Sequence, residues 1–204
     1  MNAQHKKSAG TDSAGRSGVR PRYRWRVVDI VTAAILAVVV GVVFWAWGLA
    51  WAPLSVLLGV LPGFVGVLNG PWLIAGVLGA LIIRKPGAAF FTELLAALVS
   101  ALLGSQWGFT ALISGALQGL GAEIIFAIFA YSQWRLWVAV LAGIGSSIAL
   151  AVNDLVVFYP GADSLFQTIY LLTSMLSGAV IAGLGSWAIV QGLSRAGALR
   201  AFRR

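Results

Sequence analysis

Two glutamates stand alone in long apolar runs. Glu93 lies in AAFFTELLAALVSALL and Glu123 in GALQGLGAEIIFAIFA. An ionised carboxylate inside a bilayer costs on the order of 3 kcal/mol or more unless it is paired, protonated or wetted. Counted at the helical rise, Glu93 lies about 10 Å from the end marked by Pro86. Glu123 sits eight residues before Tyr131, at similar depth on the next span. Two such carboxylates could face each other, bind a cation or share a proton. They could equally be hydrogen-bonded locks between helices.

A second polar group falls in the opposite half of the spans. Gln106 and Trp107 occupy a turn, Gln118 shares a helix face with Ser114, and Asn153 and Asp154 precede the loop YPGAD. Asn69 lies at the mouth of another span. Together with Trp47, Trp51 and Tyr159, these residues suit a flat, nitrogen-rich, cationic ligand. Rings would stack on its faces and attract positive charge, while amides and a carboxylate read its edge. Taken singly, each aromatic could also be an ordinary interface anchor. Asp29, beside Arg26, reads as a residue of a helix start.

The elements that position these groups follow from where charge is absent. Between Ile30 and Ser194 the basic residues are Arg84, Lys85 and Arg135 alone, whereas the chain as a whole has 14 Lys and Arg, 204 residues and 60% hydrophobic composition. A crossing needs about 20 apolar residues, which predicts an all-α membrane protein, a bundle of six transmembrane helices. The spans fall near residues 27–47, 72–83, 88–103, 109–131, 137–158 and 165–191. Keeping Arg26, Arg84-Lys85, Arg135 and Arg195 on one side requires an even number of crossings between each pair. The stretch 51–68, with Pro53, Gly59, Pro62, Gly63 and Gly66, is therefore an extra broken outer segment between helices 1 and 2, re-entrant or lying on the surface. Both termini are expected in the cytoplasm: residues 1–24 as a disordered basic tail, 25–194 as the membrane domain and 195–204 as a second basic tail. Small residues at helix-packing spacing, Ala33, Ala37 and Gly41, Gly115 and Gly119, Gly143 and Ser147, permit close backbone approach.

Composition also removes function classes. The net charge of +8 flanks hydrophobic spans, which points to anionic lipid headgroups and not to nucleic acid. Cysteine is absent and the single histidine is His5, so thiolate chemistry and histidine metal clusters are excluded. No P-loop is present. The chain reads as a non-enzyme without a cofactor.

The runs RKPGAAFFTELLAALVSALLGSQWG (84–108) and GALQGLGAEIIFAIFAYSQW (115–134), with WRVVDIVTAAILAVVVG (25–41), resemble the YkoE family. Its members are the substrate-binding (S) components of thiamin-related energy-coupling factor (ECF) transporters. The resemblance covers roughly residues 25–191. It implies a six-helix subunit that captures thiamin or its hydroxymethylpyrimidine precursor outside the cell. Such a subunit hands the ligand on by toppling within an ATP-driven complex of a transmembrane coupling protein and ATPase subunits. It further implies an Ala-xxx-Ala face on the first helix that contacts the coupling protein, a spacing matched by Ala33 and Ala37 and extended by Gly41.

Combined with depth and chemistry, the candidate substrate-binding residues are Glu123, Gln118, Glu93, Trp107, Gln106, Asn69 and Asp154. The competing function is a self-sufficient proton-coupled secondary transporter of a small nitrogenous solute, with Glu93 and Glu123 as relay. It is weakened by the lack of a clear internal repeat. An intramembrane enzyme lacks an evident catalytic pair.

Overall fold

The structure, a computed structural model, describes residues 23–199; the tails at 1–22 and 200–204 lie outside the described residues. The chain forms α1 (Val27–Leu58), a 3₁₀ segment (Phe64–Leu73), α2 (Ile74–Ile83), α3 (Ala88–Leu102), α4 (Thr110–Ile128), α5 (Leu136–Val157), α6 (Ser164–Ser177), a π-helical segment (Gly178–Gly185) and α7 (Ser186–Arg195). The 3₁₀ segment and α2 make one crossing, and α6, the π segment and α7 make another. Five segments are long and apolar enough to cross a membrane, and the shorter α3 completes a bundle of six.

Packing inverts the soluble pattern. On α1 the outward face carries Ile35, Val38, Val39, Val42 and Val43, while Ala33, Ala37, Gly41 and Gly48 face the interior. Lipid tails are as apolar as valine, so helices associate through close fit, and small residues supply it. A Cβ on Gly41 would lie 2.7 Å from both the Ala96 carbonyl oxygen and Val99 Cβ. The first helix thus rests directly on α3. Ala33 and Ala37 are buried at 0% and 1% exposure on the same face. The face expected to meet a coupling protein is thus buried within the chain at Ala33 and Ala37, with Gly41 against α3.

The basic residues gather at one end. Lys85 Nζ pairs with Asp29 and donates to the Arg24 carbonyl at 2.7 Å, and Arg26 meets Asp29 at 3.0 Å. Trp25 Nε1 donates to the Pro86 carbonyl at 2.9 Å, and Tyr23 donates to the Ala130 carbonyl at 3.3 Å. The start of α1 and the α2–α3 and α4–α5 loops therefore share one end, as the parity of crossings requires.

The expected broken segment at 51–68 divides differently. Residues 51–58 are the last turns of α1, which runs through Pro53 without ending. At about 48 Å, α1 is longer than the ~30 Å hydrocarbon core. Residues 59–63 turn, and the chain re-enters as the 3₁₀ segment, with Pro71 inside it. A 3₁₀ helix bonds its backbone less well than an α-helix, and unmet groups are costly in lipid. One face of α6 supplies partners. Ser177 Oγ accepts from Gly70 N–H at 3.0 Å and donates to the Val67 carbonyl at 2.5 Å, and Thr173 donates to the Gly63 carbonyl at 3.2 Å.

Candidate functional site

A cavity of about 310 Å³ opens at the end opposite the basic loops. Its wall near α1 and the 3₁₀ segment is aromatic. Trp72 and Trp107 meet edge to face at 4.8 Å between ring centroids, and Trp51 lies 5.4 Å from Trp107. The Trp72 indole is fixed by donating to the Phe44 carbonyl at 3.3 Å, and neighbouring Trp47 donates to the Leu68 carbonyl at 3.0 Å. Tyr159 and Tyr170 extend the rings toward α5 and α6, 5.3 Å apart.

The polar part comes from four helices and the 3₁₀ segment. Asp154 on α5 accepts from Tyr170 at 2.6 Å and from Asn153 at 3.3 Å. No Lys or Arg among the described residues pairs with it. Asn69 donates to Tyr170 Oη and to Ser174 Oγ, both at 2.9 Å, which ties the 3₁₀ segment to α6 at the cavity. Gln118 and Ser114 line the cavity from α4 and Ser100 from α3, and Asn153 donates to Ser114 at 3.0 Å. Such a site can hold a flat ring between indoles, offer one carboxylate to a positive charge, and read an edge with amides and hydroxyls. Among the described residues no three His, Cys, Asp or Glu side chains converge to hold a metal ion.

Of the candidate substrate-binding residues, the cavity gathers Gln118, Trp107, Asn69 and Asp154, and Trp51, Ser114 and Tyr159 from the same reading line it as well. Gln106 sits outside its lining and donates to the Gly48 carbonyl at 3.3 Å, tying the α3–α4 turn to α1. Neither glutamate lines the cavity, and each serves a different helix start. Glu123 accepts from the amides of Gly87 at 2.6 Å, Ala89 at 2.9 Å and Phe90 at 3.3 Å, and from the Tyr131 hydroxyl at 2.8 Å. A carboxylate at a helix N-terminus meets unpaired N–H groups and the positive end of the dipole. Burial, and then the bond to Glu123, raise the Tyr131 phenol above its ordinary pKa. Glu93 is fully buried and accepts from Gly76 N–H at 2.5 Å in the first turn of α2. No hydrogen bond joins the two glutamates.

Tyr170, Trp72 and Ser100 were not singled out from sequence. Tyr170 was legible in principle: Tyr170, Thr173, Ser174 and Ser177 repeat at helical spacing, a polar stripe in an apolar span. Trp72 and Ser100 carry no comparable signal.

Residues 28–149 match the family described as ABC-type cobalt transport system, permease component. A protein of Bacillus subtilis (strain 168) named as an HMP/thiamine permease, YkoE, is 36% identical over 176 residues, covering 86% of this chain and 87% of that one. The chain belongs to the YkoE family. A solved crystal structure of an S-component of an ECF transporter superposes with TM-score 0.84 at 35% identity, covering 88% of this chain and 91% of that chain. This YkoE-family protein is thus a multi-pass membrane protein and an ECF transporter S component, and its relatives are transporter components.

Proposed function

We propose that the protein captures thiamin or its hydroxymethylpyrimidine precursor from outside the cell, in the cavity beneath the tryptophans. It then delivers the ligand through an ATP-driven complex with a transmembrane coupling protein and ATPase subunits. The observation that carries this reading is Asp154: a cavity carboxylate with neutral donors and no cationic partner among the described residues, facing an aromatic wall. That pairing suits a flat heteroaromatic with positive charge, and the name of the Bacillus relative points to the same compounds. A cobalt ion fits less well, since no cluster of metal-ligating side chains forms among the described residues. By the positive-inside rule the basic end is cytoplasmic, its arginines near anionic lipid headgroups, and the cavity opens outward. Ala33, Ala37 and Gly41 are buried within the isolated subunit, so docking of the coupling protein on this face would need it uncovered. The proton-relay alternative loses support because Glu93 and Glu123 hold separate backbone amides. Calorimetry on purified protein with thiamin, hydroxymethylpyrimidine and the thiazole half tests the proposal. Saturable one-to-one binding of thiamin or the pyrimidine is expected; heat from neither rejects it.

A further inference from the structure

Four polar side chains in the cavity wall are more than nine-tenths buried: Tyr170 at 2% exposure, Asn69 at 3%, Ser100 at 4% and Gln118 at 5%. Tyr170 and Asn69 bond each other, Asp154 and Ser174. Gln118 and Ser100 differ. Neither side chain makes a hydrogen bond with any described residue. Gln118 is nonetheless anchored, because its backbone carbonyl accepts from Ser146 Oγ of α5 at 2.9 Å. The main chain is held while the amide is left open to the cavity.

An amide that no protein group engages and that stays reachable from the cavity can give its hydrogen bonds to a ligand in place of water. It presents one donating and one accepting end, and a hydroxyl can take either part. Asp154 is occupied by two donors and contributes charge. We propose that Gln118, assisted by Ser100, is the specificity-determining residue that reads the hydrogen-bonding edge of the ligand's neutral ring, while Asp154 responds separately to its positive charge. The complementary edge places an amino group beside a ring nitrogen, one donor and one acceptor in a plane. This inference rests on reading the cavity as the vitamin site, and it divides that site into two independent halves.

The division is tested with three probes in calorimetry: hydroxymethylpyrimidine (edge, no charge), the N-methylated thiazolium half (charge, no such edge) and thiamin (both). Gln118→Met keeps the side-chain length and removes the amide. It should weaken hydroxymethylpyrimidine and thiamin alike, by roughly ten- to a hundredfold, and leave the thiazolium half within about threefold of the parent. Asp154→Asn should do the reverse, weakening thiamin and the thiazolium half and sparing the pyrimidine. Should Gln118→Met fail to fold in detergent, Ser100→Ala carries the test, with the same pattern at smaller amplitude. If the parent binds all three probes and the Gln118 and Ser100 variants weaken all three equally, or none, the proposal is overturned. If the parent binds none, the vitamin reading itself falls and takes this inference with it.

Discussion

Replacing Glu123 by Gln separates a ligand-binding carboxylate from a helix-capping one. The carboxylate accepts four hydrogen bonds, three from backbone amides at the start of α3 and one from Tyr131. An amide in its place keeps the shape but turns one oxygen into a donor. That nitrogen would face either Gly87 N–H and the Tyr131 hydroxyl, or the amides of Ala89 and Phe90. The hydroxyl can rotate away, whereas backbone amides cannot, so at least one buried donor meets a donor. Hydrogen bonds to a charged group contribute roughly 1.5–3 kcal/mol each. With the 3.3 Å bond of Phe90 discounted, the loss is about 2–4 kcal/mol of stability. On the scale of soluble domains of this size, that lowers the thermal midpoint by roughly 5–15 °C. The assay is thermal unfolding of purified protein in detergent, paired with thiamin calorimetry on the same sample. Ligand affinity should remain within about threefold of the parent, because Glu123 lies outside the cavity lining. An unchanged midpoint together with a tenfold loss of affinity would refute the capping role and return Glu123 to the ligand site.

Two further outcomes follow from the packing and the topology. Ala37→Leu forces a larger side chain between α1 and α3, where Ala37 has 1% exposure, and should cost about 1–3 kcal/mol. Thermal midpoint, ligand binding by the isolated subunit and uptake should fall together; loss of uptake alone would mean that a partner docks on this face after all. In the cysteine-free chain, cysteine at Ser132 should react with a membrane-impermeant thiol reagent only from the cytoplasmic side, and cysteine at Ala162 only from outside. Labelling of both from one face would contradict the six-crossing arrangement.

What the residues disclosed, and what they hid, follows from the reach of each signal. Charge placement located the spans because lipid excludes charge over the whole length of a helix. Pro53 and the following glycines suggested a break; the helix runs through Pro53 to Leu58, and the break falls at the turn of residues 59–63, before the 3₁₀ stretch that starts at Phe64. What permits that 3₁₀ stretch is a set of hydroxyls about 110 residues away in the chain, Thr173 to the Gly63 carbonyl and Ser177 to the Val67 carbonyl. No local propensity announces such a pairing. Depth alone put Glu93 and Glu123 side by side, but depth does not say what lies opposite. For Glu123 it is the start of α3, brought there by the short turn through Gly87. The small face of Ala33, Ala37 and Gly41 signals close approach without naming the neighbour, and at Gly41 the neighbour is α3. Gln118 and Asp154 were legible as polar residues in the half of the spans opposite the basic loops; the Tyr170–Asn69 link beside them depends on tertiary contact.

The most direct test of the central claim is an experimental structure of the protein determined with thiamin. The account predicts thiamin within the cavity, its rings against Trp51, Trp72 and Trp107, its positive charge toward Asp154 and its aminopyrimidine edge within hydrogen-bond distance of Gln118. Thiamin bound elsewhere, beside Glu123 or between Glu93 and α2, with the tryptophan-lined cavity unfilled, would contradict it.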